Sequence, residues 1–192
     1  MGTKGLIFKR FLRNPGQIGA IAASSPALCR ELVTWLEVDK ADAVAELGPG
    51  TGVVSQEVIR QKSDNTKFFA VELDPEICNV LRQTMPELKL FNANACDLVE
   101  LCRQENIEKL NAVVCGLPWA AFPEDLQRAI LSAVLKSLAP GGKFTTFAYL
   151  QGLILPAGRR FRKLLEEHFS SVTTSPVVWR NLPPAITYRC IK

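Results

Sequence analysis

Residues 43–52 read AVAELGPGTG, and this stretch decides the fold of the chain. An apolar run ends at Glu46, glycines then occupy every second position, and an amphipathic segment follows over residues 53–62. This order is typical of a strand, a tight turn and a helix, because glycine permits a sharp turn and a close backbone approach to a ligand. The first turn of a helix adds unpaired N–H donors and the positive end of the helix dipole. The turn is therefore predicted to bind a polar or anionic ligand.

A second acidic residue, Glu72, ends the next apolar run, twenty residues beyond Gly52. A carboxylate at the end of a second strand can accept hydrogen bonds from two ribose hydroxyls. The glycines do not have the Gly-x-Gly-x-x-Gly spacing of dinucleotide-binding turns. A glycine turn beside an unrelated acid is the alternative interpretation. It does not explain the complete order of strand, acid, glycines, helix, strand and acid.

These two stretches resemble motifs I and II of the class I S-adenosylmethionine (SAM) methyltransferases. The resemblance implies that SAM is the cofactor and that Glu72 holds its ribose. It assigns the methionine part of SAM to the turn glycines, Gly48, Gly50 and Gly52. It also places Asp97, after the third predicted strand, at the adenine amino group, although Asp97 could equally cap the helix that starts there. The further positions expected at the cofactor are Ser24, Glu46, Thr51, Leu73 and Cys115.

Strand and helix patterns alternate five times along the chain before two final strands. The strands are predicted at about residues 42–47, 67–72, 88–91, 111–115, 143–150, 171–179 and 185–191. The alternation predicts a parallel sheet with helices on both faces, and the short connection before the last strand predicts a C-terminal antiparallel hairpin. We therefore expect an α/β fold of the Rossmann-like class I methyltransferase type, with a mostly parallel seven-stranded sheet. One domain is expected over residues 1–192, with residues 1–37 as a helical lid or membrane-contacting extension.

The composition restricts the class of protein. The chain has 192 residues, 47% of them apolar and 22% charged, which is enough for one globular domain with a full core. A net charge of +4 is too weak to indicate nucleic-acid binding by itself. The six cysteines include no C-x-x-C pair and the only histidine is His168, so no metal site is predicted. We interpret the cysteines as those of a reduced, cytoplasmic protein, and we expect a monomer.

The first residues of the chain carry an amphipathic pattern. The segment NPGQ at 14–17 interrupts the apolar run that a signal peptide needs, and no apolar run reaches the roughly 18 residues of a spanning helix. A helix over residues 5–13 would have two faces. Its apolar face would contain Ile7, Phe8, Phe11 and Leu12, and its basic face would contain Lys9, Arg10 and Arg13. Such a helix suits an anionic membrane surface. The alternative is a terminal helix docked on the protein's own core.

The turn Cys115-Gly116-Leu117-Pro118-Trp119 carries the prediction about the reaction. It resembles the Asn-Pro-Pro-Tyr-type motif of amino-group methyltransferases and departs from it at the first position. The resemblance implies that Leu117, Pro118 and Trp119 are catalytic, with main-chain carbonyls and an aromatic ring around the attacking nitrogen. Tryptophan offers the best aromatic face to a cation. The alternative is an ordinary loop with a tryptophan in the core.

Further segments carry a narrower resemblance. Residues 11–25, 115–119 and 180–185, together with the glycine turn, resemble the small soluble bacterial phospholipid N-methyltransferases over nearly the whole chain. One departure is Ala23, where the family has proline before two serines. The resemblance implies SAM-dependent methylation of phosphatidylethanolamine towards phosphatidylcholine. It also implies a cytoplasmic, peripheral membrane enzyme whose N-terminal residues 1–13 meet anionic lipid.

The residues expected at the substrate are Trp119, Tyr149, Arg180, Asn181 and Tyr188, with Arg180 suited to a lipid phosphate. Catalysis is expected to be mostly proximity, in which a neutral amine attacks a sulfonium methyl in line and water or a neighbouring phosphate takes the proton. Three other functions remain open: ornithine-lipid N-methylation, rRNA adenine dimethylation, and SAM or lipid binding without catalysis. The short chain without an added basic RNA-binding domain makes nucleic acid the weaker expectation.

Overall fold

A seven-stranded sheet forms the centre of the molecule. The structure is a computed structural model, and it describes residues 24–192. The strands are β1 (Ala43–Leu47), β2 (Lys67–Glu72), β3 (Lys89–Asn92), β4 (Leu110–Cys115), β5 (Leu138–Tyr149), β6 (Ser171–Thr174) and β7 (Ala185–Ile191). Their order in the sheet is β3-β2-β1-β4-β5-β7-β6. Strands β1 to β5 pair in parallel, and β7 runs antiparallel to both β5 and β6. The predicted α/β sheet and its C-terminal hairpin are therefore confirmed.

Seven α-helices accompany the sheet in the described part of the chain. They are α1 (Pro26–Thr34), α2 (Val53–Gln61), α3 (Pro75–Thr84), α4 (Leu98–Gln104), α5 (Glu124–Ser137), α6 (Leu150–Leu153) and α7 (Pro156–His168). Short 3₁₀ turns occur at Val38–Lys40, Ala95–Asp97 and Trp119–Ala121. The starts of α1 and α3 follow from local chemistry, because Ser25 and Asp74 accept backbone N–H groups of the first turn and a proline comes next.

The central strands are buried on both sides, as a parallel sheet between two layers of helices requires. All five residues of β1 are buried. Helices α4, α5 and α7 supply apolar side chains to the core on one face of the sheet, while α1 and α2 supply the core on the other. This layering leaves the carboxyl ends of the parallel strands as the place where turns can meet a ligand.

Helix α1 is an integral part of this packing. Leu28 and Leu32 are fully buried. The Thr145 hydroxyl on β5 donates to the carbonyl of Leu32 at 2.9 Å, and Arg189 on β7 pairs with Glu31. This part of the predicted N-terminal extension is therefore not a separate lid, because its removal would expose one face of the sheet.

Two boundaries differ from the sequence prediction. Strand β6 ends at Thr174, because Pro176 has no N–H to donate. Beyond it, the chain keeps isolated hydrogen bonds with β7, from Ser175 to Thr187 and from Val178 N–H to Ala185 O at 2.8 Å. Strand β5 begins five residues earlier than predicted, since Leu138 already pairs with Leu110 before an irregularity in the register. Neither difference moves the carboxyl ends of the strands.

Residues 1–23 lie outside the described residues. The predicted amphipathic helix at 5–13 and the departure at Ala23 belong to that part of the chain. Within residues 24–192, no helix has the length and apolar character needed to cross a bilayer.

Candidate active site

The turns after β1 and β4 are held side by side at the carboxyl edge of the sheet. The N–H of Gly48 donates to the carbonyl of Val71 at 2.9 Å, and the N–H of Gly116 donates to that of Leu47 at 2.8 Å. These bonds continue the parallel pairing just beyond the strands. They bring the glycine turn, the end of β2 and the predicted catalytic turn into one crevice.

The three turn glycines are required for different reasons. All have positive φ, at 74° for Gly48, 54° for Gly50 and 82° for Gly52. A Cβ on Gly48 would lie 2.6 Å from the Leu117 side chain, and one on Gly52 would lie 2.7 Å from the Met85 sulfur. At Gly50, a Cβ would have no atom within 4 Å. Neighbouring side chains therefore pack against the outer two glycines, while Gly50 borders open space that a ligand can fill.

Glu72 closes the crevice from the side of β2. Its carboxylate is buried and accepts the N–H of Asp74 at 3.0 Å and the N–H of Gly50 at 3.4 Å. Burial raises the pKa of Glu72, and the backbone N–H groups oppose that rise. The carboxylate thus links the end of β2 to the glycine turn, next to the open space at Gly50.

Glu46 lies beneath the same turn, at the end of β1. Its side chain is fully buried and accepts the hydroxyl of Ser55 on α2. Burial raises the pKa of Glu46 to about 8, and the charge of Glu72 adds to this rise. Ser55 belongs to no motif, and its only signal in the sequence is a small polar residue on the buried side of an amphipathic helix. The pair connects the strand and the helix that flank the turn.

Asp97 does not cap the helix that follows it. Asn94 accepts the N–H of Cys96 at 2.9 Å at the start of the 3₁₀ turn, whereas Asp97 makes no side-chain capping bond at the start of α4. Its side chain is exposed beyond the end of β3. The capping alternative is therefore wrong, and the carboxylate is not used by the fold.

The side chain of Trp119 lies in the core and not at the substrate, where the motif placed it. Its side chain is only 3% exposed, and its ring stacks on Phe161 of α7 with centroids 4.6 Å apart. The indole N–H donates to the Thr146 hydroxyl at 2.9 Å. The 3₁₀ turn directs the ring into the core between α7 and β5, so the alternative of a core tryptophan describes this residue. The ring does not face the crevice.

The backbone before Trp119 does border the crevice. Leu117 packs against Gly48, and the carbonyls of Leu117 and Pro118 each accept one N–H within the turn. Each carbonyl keeps a second lone pair. Gln127 of α5, which the sequence analysis also missed, donates to the carbonyl of Trp119 at 2.6 Å and thereby fixes the end of the turn. Cys115 is fully buried, and burial raises the pKa of its thiol to about 12, so the thiol stays protonated.

The predicted substrate residues separate into two groups. Tyr149 is half-buried at the end of β5, in edge contact with Phe147, and burial raises the pKa of its phenol. Arg180 is exposed in the loop before β7. Tyr188, by contrast, is buried in the middle of β7 against Phe161, which contradicts its predicted place at the substrate.

Asn181 is also corrected. Its side chain is buried, its Oδ1 accepts the N–H of Ser25 at 2.9 Å, and its Nδ2 donates to the carbonyl of Pro183 at 2.7 Å. The residue therefore ties the start of α1 to the loop before β7. Ser24 is half-buried beside this junction, where its carbonyl accepts the thiol of Cys29.

The crevice fits SAM. The open space at Gly50, the carboxylate of Glu72 beside it and the N-terminus of α2 match the polar groups of a nucleoside-linked amino acid. Among residues 24–192, no group of three or more His, Cys, Asp or Glu side chains is arranged to hold a metal ion. Fold and site together define a class I SAM-dependent methyltransferase, an enzyme of the Rossmann-like type.

Comparison with known proteins agrees with this class. A family profile described as "Methyltransferase domain" matches residues 44–142, and the chain belongs to that family. An ornithine lipid N-methyltransferase of Singulisphaera acidiphila is 32% identical over 96% of this chain and 94% of its own length. Ribosomal RNA small subunit methyltransferase A of Clostridium botulinum is 26% identical over 62% of this chain and 43% of its own length.

A solved structure shows the same fold. The O-methyltransferase from Bacillus cereus, in complex with SAH, superposes with a TM-score of 0.71 at 14% identity, over all of this chain and 92% of that one. At this identity the likeness concerns the fold alone.

Proposed function

We propose that this methyltransferase transfers methyl groups from SAM to the amino nitrogen of a membrane lipid. The observation that carries the proposal is the extent of the lipid-enzyme match. The relative named as an ornithine lipid N-methyltransferase aligns over nearly the full length of both chains, whereas the rRNA enzyme aligns over less than half of its own length. The two candidate substrates are ornithine lipid and phosphatidylethanolamine, since both present a primary amine at a membrane surface. The sequence motifs favour phosphatidylethanolamine.

We assign the parts of SAM to the residues that the sequence motifs imply. Gly48, Gly50 and Gly52 would hold the methionine part of SAM, Glu72 its ribose and Asp97 its adenine. The same proposal assigns flanking contacts to Ser24, Glu46, Thr51, Leu73 and the backbone of Cys115. Bound SAM supplies a sulfonium methyl group as the electrophile.

The attacking nitrogen is assigned to the turn after β4. The carbonyls of Leu117 and Pro118 would accept its hydrogens and orient its lone pair, which makes proximity the main source of rate acceleration. Because Trp119 is in the core, we assign the aromatic contact with the developing ammonium to Tyr149 instead. An ammonium cannot attack, so the amine must first lose a proton, to water or to a lipid phosphate. Arg180 would hold such a phosphate.

The cellular setting is part of the same proposal. An enzyme that methylates a lipid head group must reach the bilayer, and the basic, amphipathic residues 1–13 would provide one contact with anionic lipid. We propose a cytoplasmic, monomeric protein that binds the membrane peripherally.

Labelled SAM tests the proposal directly. The full chain is incubated with ornithine lipid, phosphatidylethanolamine or rRNA in separate reactions, with the lipids in detergent micelles. We expect label in one or both lipids and none in rRNA, and the ratio of the two lipids identifies the substrate. Label in rRNA alone, or in none of the three while SAM binding is intact, would overturn the proposal. A Tyr149→Phe variant should keep most of the rate and Tyr149→Ala should lose it, with SAM affinity unchanged in both.

A further inference from the structure

Two loops beside the crevice expose large apolar side chains. Ile154 and Leu155, between α6 and α7, are 70% and 51% exposed, and Trp179 and Leu182, before β7, are 71% and 81% exposed. We call these four residues the apolar rim. Among residues 24–192, the other large apolar side chain exposed to this extent is Val80, on α3. A single exposed apolar residue is ordinary, whereas four on two loops that are joined to each other indicate an interaction site.

The topology brings the two loops together at the edge that carries the crevice. Strand β5 ends at Tyr149, which pairs with Ala185 at the start of β7. One residue further on, the N–H of Leu150 donates to the carbonyl of Pro184 at 3.0 Å and joins the two loops. The rim therefore lies at the carboxyl end of β5, beside the half-buried Tyr149.

Three exposed basic residues lie next to the rim along the chain. Arg159 and Arg160 on the first turns of α7 and Arg180 in the second loop are exposed, and within residues 24–192 none of them forms an ion pair. Arg162, one turn along the same helix, is paired with Glu166. The sequence contains no acidic residue over 150–165 or 168–192. The two chain segments that carry the rim are therefore basic, and their only carboxylates are Glu166 and Glu167, near the far end of α7.

We propose that the apolar rim is a docking surface for an anionic lipid bilayer. Tryptophan and leucine side chains suit the interfacial zone of a bilayer, and arginines beside them suit lipid phosphates. The inference rests on the proposed function, because docking at this edge would present the lipid amine to the crevice without extracting the lipid. The chain enters α1 at Ser25, whose N–H donates to Asn181 in the same loop as Trp179 and Leu182.

Vesicle flotation of full-chain variants tests the rim. Vesicles of phosphatidylcholine with anionic phosphatidylglycerol are mixed with the wild type, with Trp179→Ser/Leu182→Ser, and with Arg159→Gln/Arg160→Gln. The arginine pair is expected to lower the partition coefficient by about 30-fold. The apolar pair should lower it at least as far. Matched controls are Val80→Ser, for exposed apolar area, and Arg60→Gln/Arg103→Gln, which removes equal charge from exposed ion pairs near the ends of α2 and α4.

A second measurement locates the contact. Brominated lipid should quench the fluorescence of the wild type and not that of Trp179→Phe. Of the other two tryptophans, Trp119 is buried in the core, and Trp35 lies against Lys143, at the end of β5 away from the rim. Flotation of both rim variants at the level of the wild type, or equal quenching with and without Trp179, would show that the bilayer does not contact the rim and would overturn the proposal.

Methyl transfer in detergent micelles separates this inference from the proposed function. Rim variants that methylate lipid in micelles but do not float would support both. Rim variants that float normally while the wild type methylates lipid would overturn the docking surface and leave the function standing. A wild type that floats through the rim but methylates no lipid would support the surface and overturn the function.

Discussion

At the scale of single residues, Gly50 is the sharpest test of the cofactor site. A side chain there would enter open space beside Glu72, whereas Gly48 and Gly52 are closed in by neighbouring side chains. We expect Gly50→Val to lower SAM affinity by at least tenfold, measured by calorimetry. A positive φ costs a side chain about 1–2 kcal/mol, so the variant should be less stable but folded.

Gly141→Val provides the matched control for that substitution. Gly141 also has open space and a positive φ of 73°. It lies in the first part of β5, before the regular pairing with β4 resumes at Lys143, and therefore at the end of the strand away from the crevice. The two variants should lose similar stability, and only the first should lose SAM. Equal SAM affinity in both would remove the assignment of the cofactor to this turn.

Glu46 should make stability depend on pH. Its pKa in the folded protein, raised by burial to about 8, lies above the ordinary value of 4.5, so the native state keeps a proton that the unfolded chain loses over this interval. Stability contributed by the protonated form is therefore present below pH 4.5 and is lost as pH rises towards 8. At about 1.4 kcal/mol per pKa unit, the loss amounts to a few kcal/mol.

Urea denaturation at pH 5.5 and pH 8 measures this dependence. Glu46→Gln should flatten the slope, so that the variant loses less stability than the wild type between pH 5.5 and pH 8. Glu100→Gln, at an exposed position on α4, should keep the slope of the wild type. A slope unchanged by Glu46→Gln would show that the buried carboxyl is already ionised at neutral pH.

Trp119 gives a prediction opposite to that of the sequence motif. A tryptophan stacked in the core costs about 3–5 kcal/mol when replaced by alanine, because a cavity remains. Trp119→Phe keeps the stacking on Phe161 and loses the hydrogen bond to Thr146, so it should cost less and keep turnover. Should Trp119→Phe abolish turnover while stability and SAM affinity are kept, the ring acts on the substrate after all.

At the scale of secondary-structure elements, the sequence predicts what depends on neighbouring residues. The strand–turn–helix of the glycine motif and the caps at Ser25 and Asp74 follow from local chemistry, and the structure contains all of them. The direction of the Trp119 ring depends instead on Thr146 of β5, 27 residues further along the chain, and on Phe161 of α7, which is further still. The motif therefore predicted the position of the turn correctly, because the turn depends on neighbouring residues. The predicted orientation of the aromatic ring was wrong, because that orientation depends on distant ones.

Asn181 shows the same limit in a contact between distant elements. Its partner Ser25 lies 156 residues away, so no local pattern could distinguish a structural amide from a substrate-binding one. Asn181→Ala should destabilise the fold by about 1–3 kcal/mol, because a buried N–H and a carbonyl lose their partner. It should also weaken SAM binding, since Ser24 belongs to the proposed cofactor site.

Asn111→Ala is the control for this element contact. The Asn111 side chain accepts the N–H groups of Asp42 and Ala43 at the start of β1, the end of the strand away from the crevice. Thermal denaturation should show a comparable loss in both variants, with reduced SAM affinity only for Asn181→Ala. Unchanged SAM affinity in Asn181→Ala would separate the start of α1 from the cofactor.

At the scale of the whole molecule, charge and apolar exposure are unevenly distributed although the net charge is only +4. The C-terminal segment from residue 168 has no acidic residue, and the exposed apolar rim lies on its loops and on the one before α7. Bulk composition could not reveal this asymmetry, because acidic residues elsewhere cancel it. The sequence predicted a membrane contact only at residues 1–13, since exposure cannot be read from an irregular loop.

The two proposed contacts make a joint prediction about membrane binding. If residues 1–13 and the apolar rim engage the same bilayer, their effects on the partition coefficient multiply, because the second contact forms within an already bound molecule. Deleting residues 1–13 should then weaken flotation with anionic vesicles strongly without abolishing it. Four basic residues at about 1 kcal/mol each set the scale of that loss, and salt should reduce binding of both proteins.

The remaining binding of the truncated protein should disappear when Trp179→Ser/Leu182→Ser is added. Its SAM affinity must be measured in parallel, so that a damaged crevice is not mistaken for a lost membrane contact. Vesicles of phosphatidylcholine alone should bind neither protein well, because they carry no net charge to attract the arginines. Equal flotation of the truncated and full-length chains would show that residues 1–13 do not touch the membrane. Complete loss on truncation alone would instead place the whole interaction there and leave the rim without a role.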